Sequence, residues 1–269
     1  MSQLVQLTEN RWHVDGVEFV YGYSDESAVD CFSLQKPPEL VDKLVELCNS
    51  HHGDTIVELG IAAGGSTALI ALMTQPRKLV ACELAPTPVA ALAELIQRRN
   101  LGDVVRPHYG IDQADKDAVA KVLDDELGNE SIGLVIDDAS HIYEATLASF
   151  EVVFPRLKEG GMFIIEDWAA DQWSHKVIDA TIQHELAKGG DSAKRLEAKL
   201  AELSARPPPV PLHRLAAELI QVARDRRDVV SNVSVDRHWI TVSRGPAALH
   251  SHNFLLSDHH ETDWTWALP

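Results

Sequence analysis

The sequence predicts an α/β fold, a mostly parallel sheet with helices on both faces. Two observations carry this reading. Short apolar runs recur at 55–59, 78–83, 103–108, 132–137 and 161–166, and helical patterns at 66–74, 86–99, 115–127 and 142–157 separate them. A glycine-rich turn, with Gly60, Gly64 and Gly65, joins the first run to the helix after it. Strand–helix alternation at this pitch buries the strands on both faces and leaves few right-handed ways to wind the chain.

The flanking elements follow from local chemistry. Residues 11–22 alternate around Asp15-Gly16, a hairpin signal. Residues 37–49 carry apolar positions at helical spacing behind two prolines that suit a helix start. Beyond residue 168 the expectation is a helical stretch at 174–205, interrupted by Gly189-Gly190, then a stiff break at Pro207–Pro211 and a helix at 212–224. Two β-rich runs, 228–234 and 238–243, form a closing hairpin around Val235-Asp236-Arg237. The expected organisation is an N-terminal hairpin and lead-in (1–36), a main domain (37–245) with a helical insertion at about 174–211, and a His- and Trp-containing tail (246–269) without a period, solvated or in contact with another subunit.

Composition bounds the function. The chain has 269 residues, 45% of them hydrophobic, enough for one sizeable core. No apolar run reaches the roughly 18 residues of a membrane helix, and the first residues lack a secretory pattern. Three widely spaced cysteines, Cys31, Cys48 and Cys82, read as reduced thiols, so a cytoplasmic location is expected. The formal charge of −17 disfavours nucleic-acid phosphates and suits a cationic guest.

Ligands of parallel sheets bind beyond the carboxyl ends of the strands. There the first run ends at Glu58-Leu59-Gly60, and Ser66-Thr67 open a helix whose free N–H groups face the site. Glu83 ends the second run, where a carboxylate meets ribose hydroxyls. A dinucleotide would need a close G-x-G pair for its pyrophosphate, and Glu58 would repel it. S-adenosylmethionine has a ribose and a sulfonium cation and no phosphate. Glu58, Gly60, Gly64, Ser66, Glu83, Asp112 and Asp137 are therefore the candidate cofactor residues, although Asp112 reads equally as a helix cap and Asp137 as structural. The fourth run ends at Asp137-Asp138 and the fifth at Glu166-Asp167. Carboxylates gathered there would repel one another unless protonated or bound to a cation, and hard oxygen donors favour Mg²⁺, with Ca²⁺ or Mn²⁺ as alternatives.

The stretches LQKP (34–37), VELGIAAGGST (57–67), IDDASH (136–141) and IIEDW (164–168) resemble class I S-adenosylmethionine-dependent methyltransferases. Within that class the chain looks most like the macrocin and mycinamicin sugar O-methyltransferases and the cephalosporin-hydroxylase-like and rhamnosyl O-methyltransferase proteins. The resemblance implies a Rossmann-like seven-strand sheet whose last strand is antiparallel. It also implies a divalent metal on Asp138, Glu166 and Asp167, with His141 as general base. The expected activity is metal-dependent O-methylation of a small hydroxylated acceptor, most plausibly a sugar of a glycosylated natural product or glycolipid, by a protein that associates into homo-oligomers and binds neither nucleic acid nor membrane. The rivals are a catechol-like acceptor, a non-catalytic S-adenosylmethionine-binding regulator and, last, a nucleotide-dependent oxidoreductase. Trp168, Trp173 and His175 stand where they would line an acceptor pocket or pack.

Overall fold

The computed structural model of the chain describes residues 4–22, 26–169 and 210–260. Most of the expected insertion lies outside the described residues, with Trp173, His175, Trp264 and Trp266.

The chain opens with a small sheet in the order β1 (Val5–Thr8), β2 (Arg11–Val14), β3 (Val17–Tyr21), β4 (Cys31–Leu34). Asp15 and Gly16 both have positive φ, 47° and 85°, which suits a two-residue turn between twisted strands. The sequence reading found β2 and β3 but not their neighbours. All four residues of β1 are exposed, so no alternation marks it. β4 pairs with β3 in parallel, through contacts no local pattern encodes.

The main sheet comprises β5 (Thr55–Leu59), β6 (Lys78–Glu83), β7 (Val105–Tyr109), β8 (Ile132–Asp137), β9 (Leu157–Glu166), β10 (Val230–Val235) and β11 (Trp239–Arg244). Its order is β10-β11-β9-β8-β5-β6-β7, with β5 to β9 parallel and β11 antiparallel to both neighbours. This is the Rossmann-like methyltransferase sheet. Strand order reverses between β5 and β8, so the crevice for a ligand opens there.

The helices are α1 (Pro38–Ser50), α2 (Gly65–Thr74), α3 (Ala90–Arg98), α4 (Lys116–Leu127), α5 (Tyr143–Val153) and α6 (His213–Asp225). α3 starts later than expected, beyond Pro86 and Pro88. α5 stops earlier, at a 3₁₀ turn over Phe154–Arg156 that contains Pro155, because proline lacks the N–H a helix interior needs.

Alternating side chains divide the core in two. One half, with Ile56, Leu134, Ile136 and Ile164 of the sheet, packs against the N-terminal sheet, α1, α2 and α3. The other, with Val57, Leu59, Val135, Phe163 and Ile165, packs against α4, α5 and α6. The start of the C-terminal tail belongs to this second half. Phe254 and Leu256 are buried, Phe254 lies 6.0 Å from the Phe154 ring, and the Leu256 N–H donates to Glu151 at 2.8 Å. No helix among the described residues is long and apolar enough to cross a membrane.

Candidate functional site

Strand parity decides which acids meet. Glu58, Asp138 and Glu166 follow the even-numbered side chains of β5, β8 and β9, which face the N-terminal sheet. Asp137 follows the odd-numbered side and points the other way. A cavity of about 520 Å³ opens at these strand ends. Its walls include Lys36, the Gly60–Ala63 turn, Ser66, Asp138, His141, Glu166, Asp167 and, from the β10–β11 turn, Arg237 and His238. The volume falls within the range of small-molecule sites.

The glycine turn is shaped by the protein itself. A Cβ on Gly60, whose φ is +95°, would sit 2.3 Å from the Asp138 carbonyl oxygen. A Cβ on Gly65 would sit 2.0 Å from the Ser33 carbonyl oxygen. Gly60 thus admits the end of β8, and Gly65 the end of β4. Gly64 (φ +83°) caps α2 in the left-handed conformation and packs on Val89 and Leu92, away from the cavity wall. Of the seven expected cofactor residues, Gly60 and Ser66 line the cavity.

The remaining four acids sit elsewhere. Glu83 Oε2 accepts from the Ile61 and Ala62 N–H groups at 2.9 and 3.0 Å, and its Oε1 accepts from Ala85 at 2.9 Å. It therefore braces the turn. Asp112 accepts from the Ala114 N–H at 2.8 Å and is exposed, so it shapes its own loop. Asp137 is buried and receives Ser149 Oγ at 3.0 Å and Gln113 Nε2 at 3.0 Å. Burial pushes its carboxyl up to about 6 despite those donors. It ties β8 to α5 and to the loop before α4.

Glu58 is fully buried beneath the turn, close to the Ser66 and Thr67 hydroxyls. Burial pushes its pKa from 4.5 to about 7, against the opposing pull of the Ser66 and Thr67 hydroxyls and Lys36. Between about pH 4.5 and 7 the folded chain holds a proton on Glu58 that the unfolded chain releases, so this group costs stability as pH rises through that window. Glu58→Gln is therefore expected to gain about 1–3 kcal/mol over the wild type between pH 5 and pH 8. Urea midpoints at the two pH values check this, and a pH-independent difference would contradict it.

The metal-capable groups meet beyond β8 and β9. One potential donor atom each from Asp138, His141 and Asp167 lies within 4.8 Å of the other two. His141 Nε2 is 3.9 Å from Asp138 Oδ1. His141 and Asp167 both have left-handed backbones, φ 55° and 48°, as does Ala62 (φ 46°), which also lines the cavity. Non-glycine residues adopt such angles at a cost of about 1–3 kcal/mol, and such strain gathers at functional sites. The Asp167 N–H donates to the His238 carbonyl at 3.0 Å, and Trp168 Nε1 to the Asp236 carbonyl at 2.8 Å. The hairpin turn thereby holds Asp167 in place.

Glu166 is not in that trio. It is 1% exposed, and its Oε2 accepts from Lys36 Nζ at 2.7 Å. Lys36 also donates to Asp138 Oδ2 at 2.7 Å. Burial opposes the charge on Lys36, but the two carboxylates outweigh it and hold the ammonium well above its ordinary pKa. Burial drives the Glu166 pKa upward, with Lys36 opposing. The sequence reading used Lys36 only as part of LQKP. The signal was available: a lone basic residue fixed before Pro37, which keeps the preceding residue extended.

Carboxylate oxygen donors such as those of Asp138 and Asp167 suit a hard divalent cation, and Glu166 Oε1 is buried without a partner on a side chain that lines the same cavity. The arrangement fits the implied metal through Asp138 and Asp167, with Glu166 one step back.

Residues 57–168 match a family model described as a methyltransferase domain. A rhamnosyl tetracenomycin-C 2'-O-methyltransferase from Streptomyces olivaceus is 34% identical over 82 residues, 24% of this chain and 21% of that protein. Among solved structures, the MycE methyltransferase of mycinamycin biosynthesis, in complex with Mg and SAH, aligns over 77% of this chain and 49% of its own, at 18% identity and a TM-score of 0.48. An O-methyltransferase from Bacillus cereus in complex with SAH aligns over 78% and 82%, at 20% identity and a TM-score of 0.46. The chain thus spans about a fifth of the curated relative and half of MycE. Over residues 57–168 it is similar to the methyltransferase-domain family, and that segment holds the glycine turn, His141 and all the acids of the site.

Proposed function

We propose that the protein is a divalent-metal-dependent S-adenosylmethionine O-methyltransferase acting on a hydroxyl of a small molecule, a sugar of a glycosylated natural product or glycolipid. The observation that carries this is the convergence of Asp138, His141 and Asp167 in the lining of a cavity walled by the glycine turn. The sugar acceptor is drawn from the relatives that resemble the chain, two of which are named for rhamnosyl tetracenomycin and mycinamycin.

S-adenosylmethionine would supply an electrophilic methyl group, and a divalent cation would acidify the hydroxyl that attacks it. The chain's residues do the remainder. Asp138 and Asp167 would hold the cation. The Gly60–Ser66 turn, braced by Glu83, forms the cofactor wall. His141 accepts the acceptor's proton, an imidazole being suited to that exchange near neutral pH. Arg237 and His238, which line the cavity, would select and orient the acceptor.

His141→Ala is expected to lower turnover by about 10²–10⁴-fold, the usual contribution of a general base, while Mn²⁺ affinity stays within about threefold. Turnover of a glycosylated acceptor and calorimetry on the same variant check this. Parallel losses of both would make His141 a metal ligand instead.

A further inference from the structure

Lys36 enters the site from outside the main sheet. It follows β4, whose end reaches the cavity because Gly65 leaves room for the Ser33 carbonyl. Ser33 is itself held by the Ser27 hydroxyl and the Gly22 carbonyl, both at 3.0 Å. The Lys36 side chain is 4% exposed and lies 2.7 Å from both Asp138 Oδ2 and Glu166 Oε2. Each of these carboxylates gives one oxygen to the ammonium. The other oxygens remain: Asp138 Oδ1 towards His141, and Glu166 Oε1 buried and unpaired on a side chain that lines the cavity.

We infer that Lys36 is a positioning residue that sets the charge of the acidic cluster to match a divalent cation. Asp138, Glu166 and Asp167 bring three formal negative charges, and Lys36 brings one positive, which leaves two. The inference rests on the metal-dependent reading above. Lys36 also makes the burial of Glu166 tolerable, since a buried charge left without its partner is strongly destabilising. The N-terminal sheet, which lies before the segment that matches the methyltransferase family, would then be part of the metal site.

Removing the ammonium leaves an uncompensated negative charge. Cation affinity should rise, and more for a trivalent ion than for a divalent one, because the Coulomb energy scales with the charge product. The test is calorimetric titration of the full chain with Mn²⁺ and with Tb³⁺, alongside thermal melts in EDTA. Lys36→Met is expected to melt lower in EDTA, to bind Mn²⁺ about tenfold more tightly and Tb³⁺ more tightly still, and to recover its melting temperature when Mn²⁺ is added. Lys36→Arg should keep the wild-type ratio of the two affinities. If Lys36→Met fails to fold, Lys36→Met/Glu166→Gln carries the test. It restores the formal charge of two and should return the wild-type Tb³⁺ to Mn²⁺ ratio. Unchanged or weakened Mn²⁺ binding in Lys36→Met, or a shifted ratio in the double variant, overturns the inference while leaving the metal reading intact. A wild type that binds neither ion overturns both.

Discussion

Asp138→Asn is expected to lower Mn²⁺ and Mg²⁺ affinity by about 100-fold or more and to reduce turnover to background. Losing a residue that merely orients a metal ligand costs 10–100-fold, and Asp138 is itself a member of the donor trio. It pairs with Lys36 through Oδ2 and faces His141 through Oδ1. The change keeps the side chain's shape, and Lys36 retains Glu166, so the metal-free protein should stay folded. Calorimetry with each ion and a melt in EDTA separate binding from stability. Wild-type metal affinity in this variant would remove Asp138 from the ligand set.

Gly60→Ala should have the largest effect on folding, a loss of about 3–5 kcal/mol. Two costs combine: alanine at φ +95° is strained, and its Cβ would meet the Asp138 carbonyl oxygen at 2.3 Å and carbon at 2.8 Å. Both neighbours are backbone and cannot swing aside. The corresponding fall in Tm for a chain of this size is roughly 6–20 °C. Because the strain is relieved by moving Asp138, metal affinity should fall too. Gly102 is the control, since a Cβ there meets nothing within 4 Å. Gly102→Ala should stay within about 0.5 kcal/mol of wild type. Similar melts for the two alanine variants would mean that the β5 and β8 ends are not locked together at Gly60.

The parallel sheet was legible because its strands are short apolar runs between helical patterns, and a period needs no knowledge of partners. The closing hairpin was legible in two β-rich runs around Val235-Asp236-Arg237, and the antiparallel last strand followed the resemblance. β1 and β4 were not legible, because one is exposed throughout and the other is four residues paired to a distant strand. The acids show the same division. Sequence spacing brought Asp138, Glu166 and Asp167 to adjacent strand ends, where the register pairs Asp137 with Ile165. Spacing alone could not tell which acids line the cavity. Asp137 turns to the far core by strand parity, Glu58 disappears beneath the turn, and Glu83 is occupied by backbone N–H groups. Lys36 escaped notice because its partners are 102 and 130 residues away.

On the proposed reading, an anionic crevice at the switch point of this sheet selects a phosphate-free, positively charged cofactor. Calorimetric titration of the metal-free chain with S-adenosylmethionine, with NAD⁺ as the parallel titrant, tests it most directly. Saturable single-site binding of S-adenosylmethionine with no heat from NAD⁺ is the expected result. Saturable binding of NAD⁺ with none of S-adenosylmethionine would contradict it.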